Sequence, residues 1–306
     1  MKTQPTILVP LDQSPQSIAA LGYAKVIAKA TGSNLTLLYV IEEPGFFTKS
    51  KIKRDQKEEI KKEAKNSLQR TIDEDEDLKN KSIQATPMVK EGKVYKKIIE
   101  AAQELKPDFI IMGRSDESDF KKNITGTNTH HIVSEAQAPV ITIKGIHEIT
   151  TKEHILLPLD LTHPVEEKLA KAIEIALYFN AHLSVLSVLQ STWLSKRIKA
   201  QKCLSRIENI LKKYEVSCDT KLIVNKKQPV HDLIINYAKE IDVDLVMVMT
   251  QQEKEIHKFF IGSTAQEIIN DADRPVISIL PHPELKLENV HYIFKNVLDP
   301  LHVYKS

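Results

Sequence analysis

The sequence runs through its opening pattern twice. TILVPLDQSPQSIAALGYAKVIAKATGSNLTLLYVIEE, from Thr6, is echoed by HILLPLDLTHPVEEKLAKAIEIALYFNAHLSVLSVLQS, from His154, so that Pro10-Leu11-Asp12 matches Pro158-Leu159-Asp160 at an offset of 148. Farther on, Val94, Asp108, Gly126 and Pro139 match Val230, Asp244, Gly262 and Pro275 at an offset of 136, so the second copy lacks twelve residues between Val188 and Val230. A repeat this long means duplicated domains and not a solenoid, because a copy of about 140 residues can bury a core of its own. The 306 residues are then a first domain over 1–147, a second over 148–282 and a tail over 283–306.

Each copy alternates short apolar runs with helical patterns. Thr6 to Leu11 is β-branched and apolar, as in a strand covered on both faces, and Asp12 ends it. Ser14-Pro15 starts a helix, serine as N-cap and proline at the first helical position, and Gly32 closes it. Ile18, Leu21, Ala24, Ile27 and Ala28 are expected to form its buried face. Leu35 to Val40 reads as the next strand. Residues 49–81 are dominated by charge, with Ile52, Ile60, Ala64, Leu68 and Ile72 as a sparse stripe, so a long solvated helix ending in an acidic loop is expected there. The twelve-residue shortening of the second copy falls in the same region. A strand over Ile83–Val89, a helix over Val94–Leu105, a strand over Phe109–Met112, a helix and a strand over Val140–Ile143 complete the first copy.

The second copy repeats this order, with strands over Ile155–Leu159, Leu183–Leu189, Asp219–Val224, Leu245–Met249 and Val276–Leu280. Its helices are expected over Pro164–Phe179, about Leu194 to Tyr214 and Pro229–Ile241, and a last one from Gly262-Ser263. Alternation of strand and helix implies right-handed crossovers and a parallel sheet, an α/β fold. The tail has no counterpart in the first copy, and Val290, Tyr292, Ile293, Phe294, Val297 and Leu298 make it apolar enough to pack on a domain face or on a partner subunit.

Charge excludes some functions. Lys and Arg against Asp and Glu number 23 and 20 in residues 1–147 and 20 and 21 in residues 148–306. Neither half carries the basic excess of a nucleic-acid binder. No apolar run approaches the length that spans a bilayer, and the N-terminus enters a strand with no apolar signal region, so a cytoplasmic protein without membrane contact is expected. Cys203 and Cys218 lack CxxC spacing and are expected to be reduced.

The richest stretch runs from Pro107 to Lys144. A buried strand ends in Gly113, and after a polar loop Gly126-Thr127 opens a helix. A strand ending in glycine beside a helix N-terminus gathers free backbone N–H groups round one hollow, which suits phosphate. The spacing Gly113-x2-Asp116-x9-Gly126-Thr127 resembles the nucleotide loop of the universal stress protein family, Gly-x2-Gly-x9-Gly-Ser/Thr, with Asp116 in place of the middle glycine. The doubled pattern resembles a tandem member with both copies in one polypeptide.

The resemblance implies two doubly wound sheets of five parallel strands in the order 3-2-1-4-5, of the adenine nucleotide alpha hydrolase-like kind. It implies ATP or AMP, with Mg²⁺ as a further possibility, at the carboxyl ends of the strands, where such folds open a crevice. Asp12 and Val40 would hold the adenosine part, and Gly113, Gly126, Thr127, Asn128 and Thr129 the phosphates. The family dimerises through its domains, so an internal pseudo-dimer meeting at the last strands is expected, with a homodimer as a further level. Asp116 departs from the pattern, adding a Cβ and a negative charge where glycine would admit phosphate closely. Thr127 also has a purely structural reading as an N-cap.

The second copy departs further, since Met249 and Gln252 stand at the positions of Gly113 and Asp116. Gly262 is the only glycine after residue 145. It fits a tight turn, and Ser263 with Gln266 has the spacing of a capping box, so this site is read as structural. Phe259 and Phe260 are candidates to fill it or to meet a second copy of the chain.

No catalytic signature is present: neither a GxSxG elbow, nor a GxxxxGK[ST] loop, nor an HExxH helix. His130 and His131 point in two directions on a helix, which disfavours a metal site. Two functions follow: a nucleotide-responsive stress protein binding in the first copy alone, or a scaffold with both sites degenerate. An enzyme is not expected.

Overall fold

The computed structural model describes residues 4–42, 54–114, 127–145, 154–250 and 261–280. The chain divides into two compact units, the first built mainly from residues 1–149 and the second mainly from residues 150–277.

In the first unit, β1 (Thr6–Pro10) is followed by α1 (Pro15–Thr31), β2 (Asn34–Ile41), α2 (Arg54–Glu74), the short α3 (Glu76–Lys79), β3 (Ala85–Glu91), α4 (Val94–Leu105), β4 (Phe109–Gly113), α5 (Thr127–Glu135) and β5 (Val140–Ile143). Its strands lie in the order β3-β2-β1-β4-β5 and the pairs β1 with β2, β1 with β4, β2 with β3 and β4 with β5 are all parallel. The expected doubly wound order is therefore present. Ile7, Leu8 and Val9 on central β1 are each fully buried, as helices on both faces require. Burying one such side chain is worth roughly 1.5–3 kcal/mol.

The capping signals hold for α1. Ser14 Oγ accepts from the Ser17 N–H, Pro15 takes the first helical position, and Gly32 adopts the left-handed conformation at φ 69°. The buried face is rotated from the expected one. Ser17, Ala20, Leu21, Tyr23, Ala24, Ile27 and Ala28 face inward, whereas Ile18 is 43% exposed. Ile18 lies one residue, about 100°, round the helix from Ser17. Small side chains at 17, 20 and 24 let the helix come close to the sheet, and that approach turns Ile18 outward.

In the charged region, Ala64, Leu68 and Ile72 are buried on α2 while Ile60 is 40% exposed, and Ile52 lies outside the described residues. The expected acidic loop is instead a capped turn of helix. Asp75 Oδ1 accepts from the Asp77 and Leu78 N–H groups, and Lys25 and Lys29 of α1 pair with Asp75 at 2.5 Å and Asp77 at 2.6 Å. Local acid density is neutralised by two lysines a helix away, which sequence spacing does not reveal. The third strand begins two residues later than expected, because Ile83 is still in the turn, its N–H donating to Asp77 O.

The second unit contains β6 (His154–Pro158), α6 (Glu166–Phe179), β7 (His182–Leu189), α7 (Leu194–Lys213), β8 (Cys218–Val224), α8 (Val230–Glu240), β9 (Leu245–Met249), α9 (Ser263–Asp271) and β10 (Val276–Ile279). Its order is β8-β7-β6-β9-β10, the same winding. The shortened region runs directly from α7 to β8 and has no counterpart of α3.

Two local expectations fail in this unit. Helix α6 starts at Glu166 and not at Pro164. At α9 the N-cap is Gly262, Ser263 is already helical, and no side chain caps the end, so the capping box does not form. The Gln266 N–H donates to Gly262 O at 2.9 Å, one register earlier than a Ser263 cap would require. No helix among the described residues is long and apolar enough to cross a membrane. The apolar tail, Phe259 and Phe260 lie outside the described residues.

Candidate functional site

In the first unit, three of the proposed binding residues end strands at the same edge of the sheet. Asp12 lies two residues beyond β1, Val40 is the penultimate residue of β2 and Gly113 the last of β4. β1 lies between β2 and β4, so the three form a contiguous carboxyl edge. Helix α5 begins at Thr127, with Asn128 half-buried and Thr129 6% exposed. Gly126 and Asp116 lie outside the described residues, as does the Thr127 side chain.

Asp12 Oδ1 accepts from the Ser14 N–H at 3.0 Å and the Ser14 hydroxyl at 2.6 Å. Burial by itself would raise the Asp12 carboxyl, but hydrogen bonds from Ser14 and Ser17 outweigh it and leave the pKa below the ordinary value. The carboxylate is thus held ionised and oriented at the head of α1, able to accept hydroxyl donors.

Gly113 has a second role that sequence spacing does not show. A Cβ placed on it would lie 2.4 Å from the Gln16 backbone carbon and 2.5 Å from the Gln16 carbonyl oxygen. The first turn of α1 rests directly on the end of β4. Arg114, the next residue, is 6% exposed and donates its backbone N–H to Ile143 O at 2.8 Å. A buried guanidinium at the mouth of the loop was not singled out from the sequence, where it reads as one arginine among charged neighbours.

The corresponding edge of the second unit opens into a cavity of about 320 Å³, lined by residues including Leu157, Asp160, Lys168, Leu186, Val188, Met249 and Thr264. Met249, at the Gly113 position, is 4% exposed. Pro164, at the Gln16 position, lies before α6. Met249 is thus buried where the first copy has Gly113, and α6 starts at Glu166, two residues after Pro164. Asp160 Oδ1 accepts from the Thr162 N–H at 2.9 Å and hydroxyl at 2.7 Å, and Oδ2 lies 3.0 Å from His163 Nδ1. Burial raises this carboxyl too, but Thr162 and His163 outweigh it and the net shift is downward.

Lys168, unremarkable in the sequence, is 8% exposed in this cavity wall and has no hydrogen bond or ion pair within 4 Å among the described residues. Burial pushes its ammonium pKa down, opposed only in part by the Asp160 charge.

At the opposite, amino-terminal end of the same sheet, His154, His182 and Asp219 offer donor atoms within 4.8 Å of one another. The expectation of no metal site rested on the scatter of the histidines and on the His130-His131 pair, and did not consider this cluster. His131 indeed stacks on Tyr95 with ring centroids 4.1 Å apart, and its Nδ1 lies 3.0 Å from Glu135. The His154 cluster is a closed hydrogen-bond chain. His154 Nε2 donates to Ser184 Oγ at 2.7 Å, Ser184 Oγ donates to Asp219 Oδ2 at 2.8 Å, and His182 Nε2 donates to the same oxygen at 2.7 Å. It needs no ion to satisfy its polar atoms. Cys203 and Cys218 are free thiols whose pKa values burial raises, so neither is an activated thiolate.

The universal stress protein family model matches residues 5–144 and again 152–279. A universal stress protein of Staphylococcus haemolyticus is 25% identical over 140 residues, covering 42% of this chain and 85% of that one. A solved universal stress protein structure from Archaeoglobus fulgidus covers 91% of this chain and 97% of its own at a TM-score of 0.71 and 18% identity, which shows the same fold along almost the whole length. Another from Archaeoglobus fulgidus, solved in complex with dAMP, is 26% identical over 42% of this chain and 99% of its own, with a TM-score of 0.35. With two matches to its model and the winding it predicts in each unit, the chain belongs to the universal stress protein family, carrying two of its domains in tandem.

Proposed function

We propose that this is a cytoplasmic stress-response protein whose first unit binds an adenine nucleotide, ATP or AMP, while the second does not. It acts by binding and not by catalysis. One observation carries the reading: Asp12, Val40 and Gly113 stand together at the carboxyl edge of β1, β2 and β4, the place where a doubly wound sheet takes ligands. Asp12 is ionised and oriented to accept ribose hydroxyls. The second unit keeps Asp160 but puts Met249 where the loop would begin, which supports its loss of nucleotide.

A scaffold without nucleotide has one observation in its favour, since the contact of Gly113 with Gln16 gives that glycine a reason to exist without phosphate. Native mass spectrometry of the purified full chain, followed by calorimetric titration of ATP and AMP with and without Mg²⁺, separates the two. Co-purified adenine nucleotide, or binding that Asp12→Ala abolishes, supports the first. No nucleotide mass and no heat from either compound leaves the scaffold.

A further inference from the structure

Lys168 is charged where the described residues give it no hydrogen-bond or ion-pair partner. It is the third residue of α6, 8% exposed, in the wall of a cavity of about 320 Å³. Removing an ammonium from water is costly unless an opposite charge meets it. The first turn of a helix adds to the cost, because its unpaired N–H groups present partial positive charge. Among the described residues the one carboxylate sharing the wall, Asp160, is more than 4 Å from Lys168 and is already taken up by Thr162 and His163. Nor does the fold need a lysine here. The equivalent residue of the first copy is Ala20, fully buried against the same part of its sheet.

The cavity supplies the rest of the ligand's description. Leu157, Leu186, Val188, Met247, Met249 and Ile268 give it apolar walls, and Thr162 and Thr264 add hydroxyls. Its size lies at the lower end of small-molecule sites. We propose that this cavity binds a molecule with an apolar body and a single carboxylate, and that the carboxylate pairs with Lys168. One cation matches one anionic group. Asp160 on the same wall repels further negative charge, which sets a polyphosphate at a disadvantage. The aliphatic lining favours a hydrocarbon or aromatic body over a sugar. The site is independent of nucleotide binding in the first unit.

The test uses the full chain and two probes of equal length, octanoate and octan-1-ol, titrated by calorimetry into the wild type, Lys168→Met and Lys168→Arg. Octanoate is expected to bind the wild type at least about tenfold more tightly than the alcohol, a difference of about 1.4 kcal/mol. Lys168→Met, of similar length and without charge, should reverse that order, and Lys168→Arg should preserve it. Saturating ATP should leave octanoate binding unchanged, which separates this site from the first unit's. The proposal is overturned if octanoate does not bind, if the alcohol binds equally well, or if Lys168→Met keeps octanoate affinity. It is also overturned if ATP displaces octanoate from the wild type, since the cavity would then take a phosphate.

Discussion

Gly113 and Gln16 meet with no room for a side chain between them: a Cβ on the glycine would come within 2.4 Å of the Gln16 backbone. Because the obstacle is backbone, a substitution has to move α1 or β4, and such overpacking costs typically 1–3 kcal/mol. Gly113→Ala should therefore lower the urea midpoint of the full chain even with no nucleotide present. Gly262 gives the control. A Cβ there meets nothing within 4 Å among the described residues, so Gly262→Ala should cost only the exchange of a glycine N-cap for a poorer one, under about 1 kcal/mol. Equal destabilisation by both would show that the close contact is not what holds Gly113.

These two glycines mark how far the sequence could be read. The repeat, the strand order and the helix signals Ser14-Pro15 and Gly32 were legible, because apolar runs and caps are local. What was missed depends on how elements approach one another. Ile18 faces solvent because small residues beside it bring α1 onto the sheet. Helix α6 starts two residues after Pro164, in a copy where buried Met249 stands in place of Gly113. The acidic run after α2 is neutralised by Lys25 and Lys29 from another helix. Lys168 carries no sequence signal, since one lysine in KLAKAIE reads as an exposed position, and only the packing of α6 on its sheet places it in a cavity wall.

The His154 chain should make stability depend on pH. Burial, then the neighbouring His182, lowers the His154 pKa, against the raising influence of Asp219, Asp244 and Asp242. The unfolded chain takes up this proton more readily than the folded one, so stability rises with pH in the window between the two pKa values. The contribution is complete above the unfolded value of about 6.5 and is lost as pH falls below it toward the folded one. Urea midpoints at pH 7.5 and 5.5 should fall more for the wild type than for His154→Gln. An equal fall in both would mean that other groups carry the acid sensitivity.

Asp116 should set which nucleotide the first unit prefers. It replaces a glycine of the family pattern in a loop that lies outside the described residues. A carboxylate about 5 Å from a phosphate charge costs on the order of 1 kcal/mol in watery surroundings and roughly 3 at an effective dielectric of 20. ATP carries more charge than AMP and should suffer more, unless Mg²⁺ bridges the two anions. Asp116→Gly is expected to raise ATP affinity by about tenfold to a hundredfold without Mg²⁺, and AMP affinity by less. Unchanged ATP affinity would remove the repulsion while leaving the site intact.

Lys168→Met should stabilise the ligand-free protein. The substitution removes a buried ammonium with no ion-pair partner among the described residues from the first turn of α6 and keeps an unbranched apolar stem of similar length. Replacing a buried charge by a packed apolar group of like volume is commonly neutral to stabilising, by about 1–4 kcal/mol. Its pH dependence identifies the cause. Burial lowers the Lys168 pKa, so between that lowered value and 10.5 the unfolded chain holds more protons than the folded one, and wild-type stability rises with pH. The advantage of Lys168→Met over the wild type should accordingly shrink as pH is raised toward 10.5. Urea midpoints of both proteins at pH 7 and pH 9.5 measure it. A constant difference would mean that the gain comes from packing and that the lysine reaches water after all.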